Sequence, residues 1–532
     1  MDKPNLKQDM LALSGIYAAM VLLHLTLLNI PYFWDEAGYY IPAAYDFLKL
    51  GTLIPASTVS NAHPPLPVFY LALWWKLFGF KPIVTRLAML LVASFALLEV
   101  FKITRKVCNG MQQSKWIAVS VTILTAIYPV FYAQSSLAHA DLPAAALTLC
   151  GIRLWMEDKR SASSCVFALA CLAKETAIIF PLALAAWELT LTILSKKRVV
   201  DPGIPRSAPA MRILLLFLSP IPIIIWYTYH VSATGHIFGN AEFFRYNLSE
   251  TLSLPRFFAA VVQRGWHIYG HMNLWVLTLA AVIASLIWKT VEPGQKNCHI
   301  RLLWFLATTQ WILYSFAGGA LLTRYLLVAF PLIILILLHI IALRTSHWKF
   351  TSLLVAASFI FGWWNSPPYR SAPEDNLAYR DFAMLQKNAI GYISGHYKDP
   401  SILTAWPASD ELTRPWLDYL PQGSLLAQKA PRIICIEDFS VEQVLAARQN
   451  SDYNLVLAFS TKDTPLRRIH FAWWDKLNQQ YFRDHEDLSP ESIAKILNGK
   501  VKYREDGTRG WIAVIYIERS ELARLVVPGT RQ

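Results

Sequence analysis

Residues 31 to 79 read PYFWDEAGYYIPAAYDFLKLGTLIPASTVSNAHPPLPVFYLALWWKLFG and begin where the first long apolar run ends. The stretch sets Asp35 and Glu36 beside a membrane. Adjacent carboxylates there are expensive to desolvate, so they mark either a polar cleft or an interfacial loop. In the second case the acids simply cap the short helix suggested by Ala37 to Leu50. Where the other charged residues fall decides between the two.

Composition supports the membrane reading. Of 532 residues, 55% are hydrophobic and 16% charged, and the mean hydropathy is +0.35, more apolar than a soluble globular chain of this size. The formal charge of +13 fits Lys and Arg gathered in short cytoplasmic loops, so no nucleic-acid partner is expected. The cysteines are scattered, with Cys435 alone in the tail, and form no C-x-x-C pair or metal spacing. The basic start, MDKPNLKQDM, precedes an apolar run of about twenty residues, long enough to span a bilayer. With no small-residue cleavage site, it reads as a retained first helix.

Further apolar runs lie near 83 to 103, 116 to 132, 141 to 156, 213 to 230, 272 to 289, 302 to 317, 325 to 343 and 350 to 364. The interval 165 to 194 is ambiguous, with Lys174-Glu175-Thr176 in its middle and Ser195-Lys196-Lys197-Arg198 at its end. A single helix there would export that basic loop. Two short helices turning at Lys174 to Thr176 instead keep Arg105, Lys106, Lys115, Lys159, Arg160, Lys196, Lys197, Arg198, Lys289, Arg301, Arg344 and Lys349 on the cytoplasmic side. The expected fold is therefore an α-helical polytopic membrane protein of about eleven transmembrane helices, with the carboxy-terminal tail on the far face.

The same bookkeeping places Asp35, Glu36, His63, Asp141, Lys174, Glu175 and Arg324 on that far face. The loop from His230 to Met272 joins them with Arg245, Arg264, His267 and His271. His267 and His271 share a helix face, which suits substrate or interface contacts and also a metal if a third ligand exists. Asn247-Leu248-Ser249 fits a glycosylation acceptor pattern that is common by chance. The expected domains are a membrane domain over 1–364, with a catalytic external loop at 31–80, and a soluble extracytoplasmic α/β domain over 365–532. Strands are expected at Arg432 to Ile436, Leu455 to Ser460 and Trp511 to Ile517, between helices at Asp375 to Ile393, Val441 to Gln449 and Pro490 to Leu497. The tail has no phosphate loop, nucleophile elbow or dinucleotide fingerprint.

Five short motifs stand in order on this scaffold: Trp34-Asp35-Glu36-Ala37, His63-Pro64-Pro65-Leu66, Ala140-Asp141-Leu142-Pro143, Ala173-Lys174-Glu175-Thr176 and Arg324-Tyr325-Leu326-Leu327. Together, over roughly residues 11 to 345, they resemble the glycosyltransferase C superfamily. The pattern is similar to the protein O-mannosyltransferases that use dolichyl-phosphate mannose and to the bacterial enzymes that transfer aminoarabinose to lipid A.

The resemblance implies a sugar transferred, with inversion, from a polyprenyl-phosphate donor to a protein, lipid A or glycan acceptor. Asp35 takes the place of the catalytic base, with Glu36 beside it. Such a carboxylate orients and deprotonates the acceptor as it attacks the anomeric carbon. The lipid phosphate leaves more easily beside cations, for which Lys174 and Arg324 are the candidates. His63 stands where the lipid A enzymes carry Lys, which leaves its contact with the donor phosphate open. Asp141 fills the second acidic position, where it would bind the donor sugar, an arginine or a metal. Some members use a divalent cation, so Mg or Mn held by Asp35 and Asp141 is possible in principle. The bland alternatives are a mutually neutralising Lys174-Glu175 pair and an Arg324 that snorkels to water. A different class, a transporter or flippase of lipid-linked sugars, would show inverted repeats, and none is visible. The basic amino terminus, the exported domain and the unpaired Cys435 point to a bacterial inner membrane.

Overall fold

Helices dominate the chain up to residue 364, and a mixed sheet follows. The computed structural model describes residues 6–196, 209–241, 244–245, 251–289, 298–316, 320–450, 452–462, 472–482 and 485–518. Lys197, Arg198 and Asn247-Leu248-Ser249 lie outside the described residues.

The helices are α1 (Leu6–Leu23), α2 (Ile41–Leu50), α3 (Leu66–Phe78), α4 (Pro82–Val107), α5 (Ser114–Ile127), α6 (Pro129–Gln134), α7 (Asp141–Met156), α8 (Arg160–Ala173) and α9 (Ile179–Lys196). They continue as α10 (Pro209–Leu218), α11 (Ile221–Thr234), α12 (Leu254–Tyr269), α13 (Leu274–Ile287), α14 (Cys298–Phe316), α15 (Ala329–Ala342) and α16 (Trp348–Trp364). Among the described residues, five stretches are long and apolar enough to cross a membrane: Leu6–Leu23, Pro82–Val107, Glu175–Ile193, Ala210–Thr234 and Leu254–Ile287. Helix α15 is apolar on every side and almost wholly buried, as expected for a helix enclosed by others.

Local chemistry sets the boundaries. Pro129 cannot donate a backbone hydrogen bond, so the run expected at 116 to 132 splits into α5 and α6, with Tyr128 in a non-helical conformation (ψ 125°). Gly51 ends α2 at φ 71°, a left-handed conformation that favours glycine. The ambiguous interval breaks where the charges predict. Helix α8 stops at Ala173, Lys174 is extended (φ −153°, ψ 135°), and a short 3-10 turn over Glu175–Ile178 leads into α9. Helices α3 and α12 were expected as loop. Helix α12 carries Arg256, Arg264 and His267 on its buried positions, so its sequence does not register as an apolar run.

The chain divides into two compact units. One holds Met1–Asn29, Tyr39–Pro367 and Glu374–Leu377; the other holds Ile30–Gly38, Pro368–Pro373 and Ala378–Gln532. The second unit contains α17 (Ala378–His396), β1 (Ser401–Ala405), β2 (Arg432–Ile436), α18 (Val441–Ala447), β3 (Leu455–Ser460), α19 (Ala472–Phe482), α20 (Pro490–Leu497), β4 (Gly499–Asp506) and β5 (Trp511–Ile517). Strand order is β2-β1-β3-β5-β4. β1 pairs parallel with β2 (Leu403 opposite Ile434) and with β3 (Leu403 opposite Val456), and β5 pairs antiparallel with β3 and β4. The three strands expected from sequence occupy the expected residues. β1 and β4 were not expected: β1 has five residues, and β4, at the edge, alternates charged and apolar side chains.

The segment Ile30–Gly38 is tied into this second unit by aromatic packing. Trp34 sits at φ 50°, with Trp406 edge-on at a ring separation of 5.6 Å and Phe382 and Phe459 each at 6.3 Å. The Tyr419 hydroxyl donates to the Tyr32 carbonyl at 3.0 Å. A Cβ on Gly38 would stand 2.5 Å from the Trp406 ring. Gly38→Ala therefore forces that ring to shift, at a cost of about 1–3 kcal/mol, and should lower the unfolding temperature of the second unit in a calorimetric scan.

Candidate active site

The first unit brings three of the expected site residues together. Asp141 opens α7, Lys174 sits at the break after α8, and Arg324 lies in a 3-10 turn over Thr323–Leu326. Lys174 Nζ is 2.5 Å from Asp141 Oδ1, and Arg324 Nε is 3.4 Å from Oδ2. All three side chains are buried. Arg324 also pairs with Glu374 through Nη1 at 2.8 Å. Its guanidinium is thus held inside the protein, not extended to water as the snorkelling alternative requires.

Tyr325 forms an aromatic wall under these cations. Lys174 Nζ lies 4.2 Å from its ring centroid, and the Arg324 and Arg264 guanidinium carbons lie 5.8 and 5.9 Å away. Gln310 Nε2 donates to the Tyr325 carbonyl at 2.8 Å and fixes the turn. Beside them is a cleft of about 250 Å³, lined by Asp141, Lys174, Thr176, Gln310, Tyr314 and Tyr325 among others. The buried charges nearby are Arg86, Lys174, Arg264 and Arg324 against Asp141, Glu374 and Asp375, with Glu175 a quarter exposed. Burial, reinforced by Arg324, Lys174 and Arg86, holds the His139 ring well below the usual imidazole range, so it remains neutral and adds no charge.

His63 belongs to a second cleft in the same unit, of about 460 Å³, lined by Tyr39, Tyr40, Asn61, His63, Pro64 and Trp226 among others. Its Nδ1 is 3.1 Å from Glu175 Oε2. Lys174 and Glu175 thus have different partners and do not form the neutralising pair that sequence allows.

Asp35 and Glu36 belong to the second unit. Glu36 is fully buried, and its Oε2 accepts the Phe33 backbone N–H at 2.9 Å, while its own N–H donates to the Phe33 carbonyl at 3.0 Å. That reciprocal pattern caps the helical turn starting at Glu36. Asp35 is half-buried.

Sequence reasoning gave no role to Arg86, Glu374 or Asp375. Arg86 is a buried cation near the start of α4, apart from the basic residues at the other end of that helix, which is itself a signal, and it donates from Nη1 to the Ser136 carbonyl at 2.9 Å. Glu374 and Asp375 follow α16 and were counted with the tail. Asp375 Oδ2 lies 2.9 Å from His271 Nε2 and its other oxygen accepts from Thr323. His267 and His271 do share a face, with rings 5.3 Å apart. Among the described residues no group of three or more His, Cys, Asp or Glu side chains is placed to hold a metal. With Lys174 on one Asp141 oxygen and Arg324 on the other, the charge around Asp141 does not suit Mg or Mn.

Known structures share this architecture over nearly the full length of the chain. One is ArnT from Cupriavidus metallidurans bound to undecaprenyl phosphate, with a TM-score of 0.51 at 10% identity, covering 96% of this chain and 98% of that one. The apo form of ArnT gives a TM-score of 0.48 at 12% identity, covering 94% and 98%. The chain thus shares its fold with the undecaprenyl-phosphate-bound ArnT structure. No family model and no curated protein sequence matches the chain.

The second unit has a polar cluster of its own. His485 Nε2 is 3.3 Å from Asp487 and 3.4 Å from Asp438, and Ser460 donates to Asp487 at 2.7 Å. The bond to Asp487 raises His485 above its ordinary 6.5, so its contribution to stability is complete below that value and fades as pH rises through the folded one. Asp487 is opposed by burial, but His485, Lys462 and Ser460 hold it below its ordinary 3.8. Its contribution is complete above that value and is lost on acidification. The second unit should unfold at its highest temperature near pH 5 to 6 and lose stability towards pH 8, a slope that Asp487→Asn flattens in thermal scans.

The Asp141 pair yields a second expectation. Asp141→Asn leaves two buried cations without their shared anion and should cost about 3–5 kcal/mol. Replacing both partners, as Asp141→Leu with Lys174→Met, should cost less, and thermal unfolding of the purified protein compares the two.

Proposed function

We propose that the chain is an integral-membrane glycosyltransferase that moves a sugar from a polyprenyl-phosphate donor to a protein, lipid or glycan acceptor on the extracytoplasmic face. The observation that carries this reading is the convergence of two buried cations, Lys174 and Arg324, on the Tyr325 ring beside a cleft. Cations are costly inside a membrane protein and are retained where an anion is to be held. The anion in this reading is the lipid phosphate. Support comes from the fold shared with an ArnT structure bound to undecaprenyl phosphate.

In this reading Asp35 is the base that takes the acceptor proton as the nucleophile attacks the anomeric carbon, which inverts. Glu36 positions Asp35 through the cap at Phe33. Lys174 and Arg324, braced by Asp141 and Glu374, stabilise the charge growing on the departing phosphate, and His63 contacts the donor from the second cleft. No step runs through a metal. The membrane unit would contribute about eleven spans, with the carboxy-terminal domain on the far side of a bacterial inner membrane, shaping access for the acceptor.

Membranes carrying the chain, supplied with a panel of polyprenyl-phosphate sugars and acceptor extracts, should release free polyprenyl phosphate from one donor. Asp35→Asn should lower that rate by at least about 100-fold and leave donor binding intact. Equal consumption by both proteins removes Asp35 as the base. Movement of donor across the bilayer without a new glycosidic bond identifies a transporter instead.

A further inference from the structure

Lys174 and Glu175 are neighbours in sequence that face different clefts. The extended torsions of Lys174 send successive side chains to opposite sides. Lys174 goes to Asp141 and the first cleft, and Glu175 goes to His63. On the other side of the imidazole, Nε2 is 3.2 Å from the Tyr40 hydroxyl, and the two rings stack with centroids 5.4 Å apart. Tyr40 and His63 both line the second cleft. The result is a chain of carboxylate, imidazole and phenol that ends at a cavity.

A carboxylate on one ring nitrogen determines which nitrogen carries the proton and where the other points. Glu175 is 25% and His63 17% exposed, so the pair is largely buried. Around the ring, Glu175 faces Nδ1 and Tyr40 faces Nε2. His139 lies against Tyr40, with centroids 5.7 Å apart, and His230 reaches the cleft through Ser60 at 2.9 Å. Lys174 and Tyr227 lie within electrostatic reach of Glu175.

Resting on the donor reading above, we propose that Glu175 is a positioning residue that holds the Nδ1 proton of His63, so that Nε2 accepts from the Tyr40 hydroxyl and the two stacked rings are fixed in one orientation on the wall of the cleft that takes the lipid-phosphate donor. Glu175 itself does not touch the donor. Its effect passes through the imidazole.

The test uses the full chain in lipid nanodiscs with ¹⁵N-labelled histidine, the His63 signal being the one lost in His63→Gln. The expected spectrum has a single His63 state protonated at Nδ1, and Glu175→Gln replaces it with a mixture of tautomers. A signal unmoved by Glu175→Gln overturns the proposal. The same variants then form a double-mutant cycle on undecaprenyl phosphate binding and on kcat/KM. Glu175→Gln should weaken both by about 10-fold, a coupling typical of residues in contact, and should add nothing once His63→Gln is present. Additive losses overturn the proposal as well. If the unmutated chain neither binds undecaprenyl phosphate nor consumes any lipid-linked sugar, the donor reading falls and takes the donor-facing role of His63 and Tyr40 with it. The ring spectrum then still reports separately whether Glu175 holds His63.

Discussion

Asp141 is buried with one carboxylate oxygen turned to Lys174 and the other to Arg324, and three segments far apart in the chain meet through it. Each charge alone would be prohibitive at that depth; together, with Glu374 on the far side of Arg324, they become tolerable. The pairing also explains the local backbone. Lys174 can reach Asp141 because α8 stops and the chain extends there, and Arg324 is delivered by a tight turn ahead of α15, not from mid-helix. A helix running straight through 174 would carry the ammonium away from Asp141.

Arg86 and Arg264 add positive charge to this cluster, Glu374, Asp375 and Glu175 add negative charge, and His139 is kept uncharged by burial and by the same cations. Tyr325 offsets part of the cost by presenting its ring to three cations, an interaction that strengthens when water is excluded. Lys174 lines the cleft itself, and that gives the site its chemical character.

Much of this was legible in the sequence, because membrane topology turns charge into position. The rule that gathers Lys and Arg on one side required a break at Lys174 to Thr176, and the break is there. It also put Asp141, Lys174 and Arg324 on one face before any contact was known. Three strands of the tail followed from apolar runs of strand length set between helical patterns. Other features were illegible for equally physical reasons. β4 alternates Lys, Tyr, Arg and acids, as an edge strand facing water does, so no apolar run marks it. Helix α12 hides behind its own buried arginines. Glu374 and Asp375 follow a proline-rich stretch that reads as linker, and nothing local tells that they fold back onto Arg324, His271 and Thr323. Trp34-Asp35-Glu36 reads as part of the membrane domain by position, yet its packing partners are Phe382, Trp406 and Phe459, which lie hundreds of residues later.

The extended residue between α8 and the turn after it makes the site sensitive to counting. On extended backbone, sides alternate with a period of two, so the assignment of Lys174 to one cleft and Glu175 to the other is a matter of parity. One residue gained or lost at this point would exchange the two sides, setting a carboxylate against Asp141 and an ammonium against His63. Two residues gained would restore the order and only lengthen the bridge. By this geometry an even change of length at the joint disturbs the two clefts less than an odd one, whereas the helices on either side can absorb change by the turn.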